Sequence, residues 1–155
     1  MWGVFLLYAI AMKVIFVCHG SICRSPAAEC IFASLTDEFE VCSRAVSHEE
    51  IGNDIYPPMK AELRRRGIPL IPHSATHISN GDYADADYVF YMDESNRRRL
   101  FAMGMDNPKK TLPIFAFTPE ITEVEDPWYS GRYELVCDQI TQCCKDIIKA
   151  LKGRG

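Results

Sequence analysis

The chain has 155 residues, 48% of them hydrophobic and 25% charged, with a formal net charge of -4. That length fits one domain with its own buried core, and the acidic balance argues against nucleic acid as a partner. Seven cysteines, an odd number with no paired spacing, exclude a small disulfide scaffold and fit reduced thiols in a cytoplasm.

The first residues, "MWGVFLLYAIAM", are apolar and carry no Lys or Arg. Ala9-Ile10-Ala11 resembles a small-residue cleavage site, but the positive segment of a signal peptide is missing. The run is also too short to span a bilayer. Residues 1–11 therefore read as an extension ahead of a start at Met12, with a degenerate signal peptide as the alternative. The domain is taken as residues 12–155, without a membrane partner.

From there strand and helix alternate. Lys13–Val17 is a predicted strand, followed by a helix over Ser25–Leu35 with Ile31, Phe32 and Leu35 inward. Phe39–Ala45 is the second strand, and the polar segment Val46–Pro57 is a loop. A helix over Pro58–Arg66 opens on proline and stops at Gly67. "IPLIPHSATHIS" is irregular, because its prolines break any ladder. Tyr88–Met92 is a short apolar strand. Asp93-Glu94-Ser95-Asn96 then caps a helix running to Met103. Leu112–Phe115 is the fourth strand, and Ala116–Ser130 is a long loop containing "EVEDPWYSG". The last helix, Gly131–Lys152, is predicted to bury Val136, Ile140, Cys144, Ile147 and Leu151. Cys137 and Cys144 fit there as small buried hydrophobes. The triplets Arg64–Arg66 and Arg97–Arg99 read as solvated helix faces. The fold class is α/β: a doubly wound four-stranded parallel sheet with helices on both faces, a flavodoxin-like three-layer sandwich.

In such sheets ligands bind beyond the carboxyl ends of the strands, and Cys18 lies at one. Between it and the next helix stands "CHGSICRSP", a Cys-x5-Arg spacing. A strand-to-helix loop turns backbone N–H groups inward as an anion-binding concavity. Gly20 permits a tight backbone there. Arg24 offers a planar fork for two phosphate oxygens, and the same field favours the Cys18 thiolate. Ser25 reads both as a helix N-cap and as a donor to the Cys18 sulfur. Transfer of a phosphoryl group to cysteine needs a proton donor for the leaving oxygen. Asp126 is the candidate, stiffened by Pro127, with Trp128 and Tyr129 as flat surface for a ring. Glu120, Glu123 and Glu125 read as solvated loop charges.

These stretches resemble the low-molecular-weight protein tyrosine phosphatase family. Its loop, Cys-x-Gly-Asn-x-Cys-Arg-Ser-Pro, is similar to Cys18 through Pro26. Its Asp-Pro-aromatic acid loop is similar to Asp126-Pro127-Trp128, and "DYVFYMDESN" resembles its third-strand motif. The resemblance runs from about Met12 to the C-terminus. It implies Cys18 as nucleophile, Arg24 as phosphate clamp and Asp126 as general acid, then as base on the water that hydrolyses a cysteinyl-phosphate. His19, Gly20, Ser21, Ile22 and Cys23 would line the phosphate site with Trp128 and Tyr129 beside it. Ser43 and His73 would support the loop, and Cys23 would form a reversible disulfide with Cys18. Two positions depart from the pattern. Ser21 stands where the family has asparagine, and serine is the poorer of the two at positive φ. His19 replaces a small or apolar residue and is expected to point to solvent.

No cofactor and no metal are implied: Cys18, Cys23 and His19 lack a second matching ligand pair for zinc. A monomer is expected, with a phosphotyrosine protein or small aryl phosphate as its substrate. The sister activities are arsenate reduction and protein arginine phosphatase. Residues 80–105 contain no cysteine for an electron relay, and Ile22 with the Trp128-Tyr129 pair favours an aromatic ring over a guanidinium. A catalytically silent phospho-ligand binding module is the non-enzyme alternative.

Overall fold

A computed structural model describes residues 11–152. The expected extension lies outside the described residues, apart from Ala11. Among the described residues no helix is long and apolar enough to cross a membrane.

Four parallel strands form one sheet in the order β2-β1-β3-β4. β1 is Met12–Cys18, β2 Phe39–Ala45, β3 Tyr88–Tyr91 and β4 Thr111–Pro113. β1 is central, so both its faces are covered, which is why its sequence reads as an unbroken apolar run rather than an alternation. Val14, Phe16 and Cys18 face one core while Ile15 and Val17 face the other. In register, Phe16 sits opposite Ser43 on one side and Phe90 on the other. Phe16 also meets Phe32 edge-on at 5.6 Å and Phe90 at 5.8 Å. Truncating Phe16 to alanine would cost about 3–5 kcal/mol.

The helices are α1 (Arg24–Leu35), α2 (Pro57–Arg65), α3 (Asn80–Asp85), α4 (Glu94–Ala102), α5 (Pro127–Ser130) and α6 (Tyr133–Lys152). α1 and α6 pack on the face holding Phe16, and Leu100 of α4 packs on the opposite face with Ile15 and Val17. This is the expected three-layer arrangement. α6 buries Val136, Cys137, Ile140, Cys143, Cys144, Ile147 and Leu151, a spacing that repeats along one helical stripe.

Several boundaries differ for local reasons. Leu35 is 39% exposed rather than inward, because the chain leaves the helix at an extended Thr36 and the last turn stays at an open end. α3 was not expected. Ser79 and Asp82 make a reciprocal capping box, enough to start a short helix. β4 begins one residue early and ends at Pro113, an edge-strand position where a proline is tolerated. α6 starts at Tyr133 because Gly131, at φ 72, is the left-handed cap that closes α5.

The chain runs from β1 outward to β2, then crosses back to β3 on the other side of β1. The carboxyl end of β1 is therefore the switch point where such sheets form a crevice, and Cys18 occupies it.

Candidate active site

The loop between β1 and α1 is built around the Cys18 sulfur. Cys18 is buried, and the Ser25 backbone N–H lies 3.4 Å from Sγ. Ser25 Oγ lies 3.2 Å from the same atom. Ser21 is buried with φ 57, the only positive φ outside glycine among the described residues. Its Oγ is 2.9 Å from Ser25 Oγ. Its carbonyl accepts from His73 Nε2 at 2.5 Å, so that ring nitrogen carries a proton and His73 is tied to the loop. Gly20 is required for space, not for an unusual φ: a Cβ there would meet Glu50 Cγ at 2.9 Å.

Arg24 opens α1 and is 2% exposed. Nη1 donates to Asp93 Oδ2 at 2.6 Å and to the Val124 carbonyl at 3.0 Å. Nη2 lies 3.5 Å from Asp126 Oδ2. Nε is buried without a hydrogen-bond partner. Burial opposes the charge, but Cys18, Asp93 and Asp126 together hold the guanidinium above its ordinary pKa. Burial, then the adjacent Cys18, pushes the Cys23 thiol up, so Cys23 stays protonated at neutral pH and does not compete as a nucleophile. The N-terminus of α1 has no side-chain cap. The Ser25 N–H faces the Cys18 sulfur, and a capping side chain does not compete with a bound anion at this helix start.

The acid arrives on a loop tied to the sheet edge by the Val124 N–H, which donates to the Met92 carbonyl. Asp126 caps α5 through Oδ1, which accepts the Trp128 N–H at 3.0 Å. This leaves Oδ2 toward the guanidinium. Trp128 is half exposed and its ring lies 4.7 Å from that of Tyr56, while Tyr129 is 85% exposed. Glu125 is not a free charge: Arg132 grips both its oxygens and holds its carboxyl below the ordinary range.

Cys18, His19, Gly20, Ile22, Cys23, Arg24, Asp126, Trp128 and Tyr129 line one cleft of about 150 Å³. Two stretches far apart in sequence, 18–24 and 126–129, thus come together, with Ser21 and Ser25 fully buried beside them. Two expectations are corrected. His19 does not point freely to solvent: Nε2 lies 2.9 Å from Glu49 Oε2, because the acidic rim offers it a partner. Ser43 bonds elsewhere: its Oγ donates to Glu29 on α1 at 2.8 Å, because that carboxylate faces β2 from the neighbouring helix. Sequence reasoning missed Asp93, Tyr56, Glu49 and Glu50. Asp93 was legible as a cap, and Oδ1 does accept the Asn96 N–H at 2.9 Å. The second oxygen, aimed at Arg24, needed the fold to be seen.

A sulfur within reach of the Ser25 N–H and hydroxyl, a buried guanidinium and a carboxyl group 3.5 Å from it form an arrangement that can hold a tetrahedral anion between a nucleophile and an acid. Residues 13–154 match the family model described as low molecular weight phosphotyrosine protein phosphatase. The Bacillus subtilis low molecular weight protein-tyrosine-phosphatase YfkJ is 33% identical, over 91% of this chain and 96% of that protein. The human low molecular weight phosphotyrosine protein phosphatase is 34% identical, over 88% and 94%. The crystal structure of YfkJ superimposes with a TM-score of 0.90, covering 95% of this chain and 98% of that one at 30% identity. A Drosophila arginine phosphatase superimposes with a TM-score of 0.82 at 28% identity, covering 91% and 98%. The chain belongs to the low molecular weight phosphotyrosine protein phosphatase family.

Proposed function

We propose that this protein hydrolyses protein phosphotyrosine and small aryl phosphates through a cysteinyl-phosphate. The observation that carries the reading is the single cleft holding Cys18, Arg24 and Asp126. Cys18 Sγ attacks phosphorus as the bond to the leaving phenolate breaks. Asp126 gives that oxygen its proton, and Arg24 moves its fork from Asp93 and Asp126 toward the equatorial oxygens. In the second step Asp126 takes a proton from water, which displaces the sulfur, and Ser25 Oγ donates to the departing thiolate. The relatives named as tyrosine phosphatases support this substrate. So do buried Ile22 and the Tyr56–Trp128 ring pair beside the cleft, an apolar wall for an aromatic ring. The same reading takes the enzyme as a monomer in a reducing compartment.

The test compares kcat/KM for a phosphotyrosine peptide and the matching phosphoarginine peptide, with arsenate reduction assayed in parallel. Preference for phosphotyrosine is expected. Preference for phosphoarginine, or arsenate reduction as the main activity, overturns the substrate assignment. Phosphopeptide binding without turnover leaves only a binding module.

A further inference from the structure

We infer that Glu49 is a specificity-determining residue that selects phosphotyrosine peptides carrying a lysine or arginine beside the phosphorylated residue. The inference deepens the phosphotyrosine reading above and rests on it. The lining of the cleft divides by chemistry: Trp128 and Tyr129 supply rings, while Glu49 and Glu50 supply carboxylates. The acidic groups around the site are not equivalent. Asp126 caps α5 and faces Arg24. Glu125 is held by Arg132 through both oxygens. Glu50 accepts from the Asn53 side chain at 2.6 Å, and a Cβ added at Gly20 would meet its Cγ at 2.9 Å, so it is packed against the loop. Glu49 differs. Its side chain is 67% exposed, and His19 Nε2 lies 2.9 Å from Oε2. Among the described residues no lysine or arginine pairs with it. One imidazole nitrogen is a weaker partner for a carboxylate than the two-bond guanidinium given to Glu125. A peptide can bring the missing cation. Its phosphate goes to Arg24 and its ring to Trp128, so the neighbouring residues of the peptide stay at the mouth, within the field of Glu49 and Glu50. A basic neighbour takes over the Glu49 carboxylate from His19. An acidic neighbour meets two like charges, and that rejection contributes as much to the choice as the attraction.

The test measures kcat/KM for phosphotyrosine peptides that differ only in arginine, glutamine or glutamate before or after the phosphorylated residue. Each value is divided by that of p-nitrophenyl phosphate with the same protein, so that general damage cancels. Wild type should favour the arginine peptide over the glutamate peptide by about tenfold at low ionic strength, the reach of an exposed ion pair set against a like-charge repulsion of similar size. The ratio should shrink in high salt. The difference should lie in KM rather than kcat, because Glu49 stands apart from the reacting atoms. Glu49→Gln should bring the ratio to about threefold, the part left to Glu50. Glu49→Arg should invert the order, which loss of a structural contact cannot do. His19→Ala should widen the wild-type preference, since Glu49 then has no internal partner. Equal values for the wild-type peptides overturn the inference, as does an arginine preference that Glu49→Arg leaves intact. Affinities of the Cys18→Ser variant for the same peptides, by fluorescence anisotropy, separate the rim from the chemistry. An affinity order that follows charge, in a protein whose wild type turns over no phosphotyrosine peptide, keeps the docking role of Glu49 and removes the phosphatase reading.

Discussion

Two strand-to-helix turns at the same edge of the sheet solve the same problem in opposite ways. After β3, Asp93 caps α4 with its side chain, and the first-turn N–H groups have a partner supplied by the protein. After β1, α1 begins at Cys23 and Arg24 with no such cap. Orphan donors at a helix start are normally satisfied by the chain itself. The first turn is a structural joint. The second has no side-chain cap and turns the Ser25 N–H to the Cys18 sulfur, where the proposed mechanism puts phosphate and nucleophile. Asp93 connects them, because the oxygen not used for capping pairs with Arg24.

The severest way to break the comparison is Cys18→Ser. It removes the sulfur but keeps the backbone of the open turn. Turnover of p-nitrophenyl phosphate is expected to fall to background while inorganic phosphate still binds by calorimetry. Residual hydrolysis near the wild-type rate would remove Cys18 from the mechanism.

Asp126→Asn comes next. Phosphotyrosine hydrolysis should slow by about 10²–10⁴-fold, and an aryl phosphate with an acidic leaving group should suffer less. Glu125→Gln is the control, since its carboxylate is held by Arg132 on the outer side, and rates across graded leaving groups should stay close to wild type. Steeper leaving-group dependence in Glu125→Gln would assign the acid to the wrong residue.

The capped turn is tested with two substitutions of Asp93. Asp93→Asn retains an oxygen for the Asn96 N–H and strips the charge facing Arg24. Asp93→Ala loses both. Both should raise KM, because a buried guanidinium without its partner is misplaced. Only the alanine variant should also lose the cap, worth about 0.5–2 kcal/mol, read as a melting point lower than that of Asp93→Asn. Equal melting temperatures would show that the cap contributes nothing.

Cys23→Ser is expected to change basal turnover least. Its effect lies in oxidation. We propose that peroxide converts the Cys18 thiolate to a sulfenic acid, which condenses with the Cys23 thiol to a disulfide and water. Dithiothreitol should rescue wild type, while Cys23→Ser should lose activity irreversibly. Peptide mapping that finds no Cys18–Cys23 crosslink would dispose of the idea.

Much of this was legible in the sequence, and the limits follow a physical line. Phe39–Ala45 was bounded to the residue, because an alternating strand between polar segments is a local signal. The loop from Cys18 to Ser25 was legible because the thiol, the guanidinium and the hydroxyl lie within one short stretch of chain, although Ser25 stands inside α1 and the N-cap position falls to Cys23. α3 was not, although Ser79 and Asp82 spell a capping pattern, since the prolines before them suggested continued irregularity. Contacts across the fold were least visible. Arg24 to Asp93 spans 69 positions and Arg24 to the Val124 carbonyl spans 100, and no periodicity encodes them. The Ser43 error has the same origin: its bond to Glu29 joins β2 to α1 across 14 positions, and no periodicity encodes that pair either.

The buried Nε of Arg24 has no partner among the protein's own atoms, beside a helix start without a side-chain cap. Both deficits can be met by the product of the proposed reaction. Inorganic phosphate would then act as a missing piece of the fold as well as a brake on turnover. By mass action, a concentration about a hundredfold above its dissociation constant adds ~2.7 kcal/mol to stability. Thermal denaturation in phosphate and in an inert buffer would then give two melting points for one protein, and their separation would measure the same affinity as product inhibition.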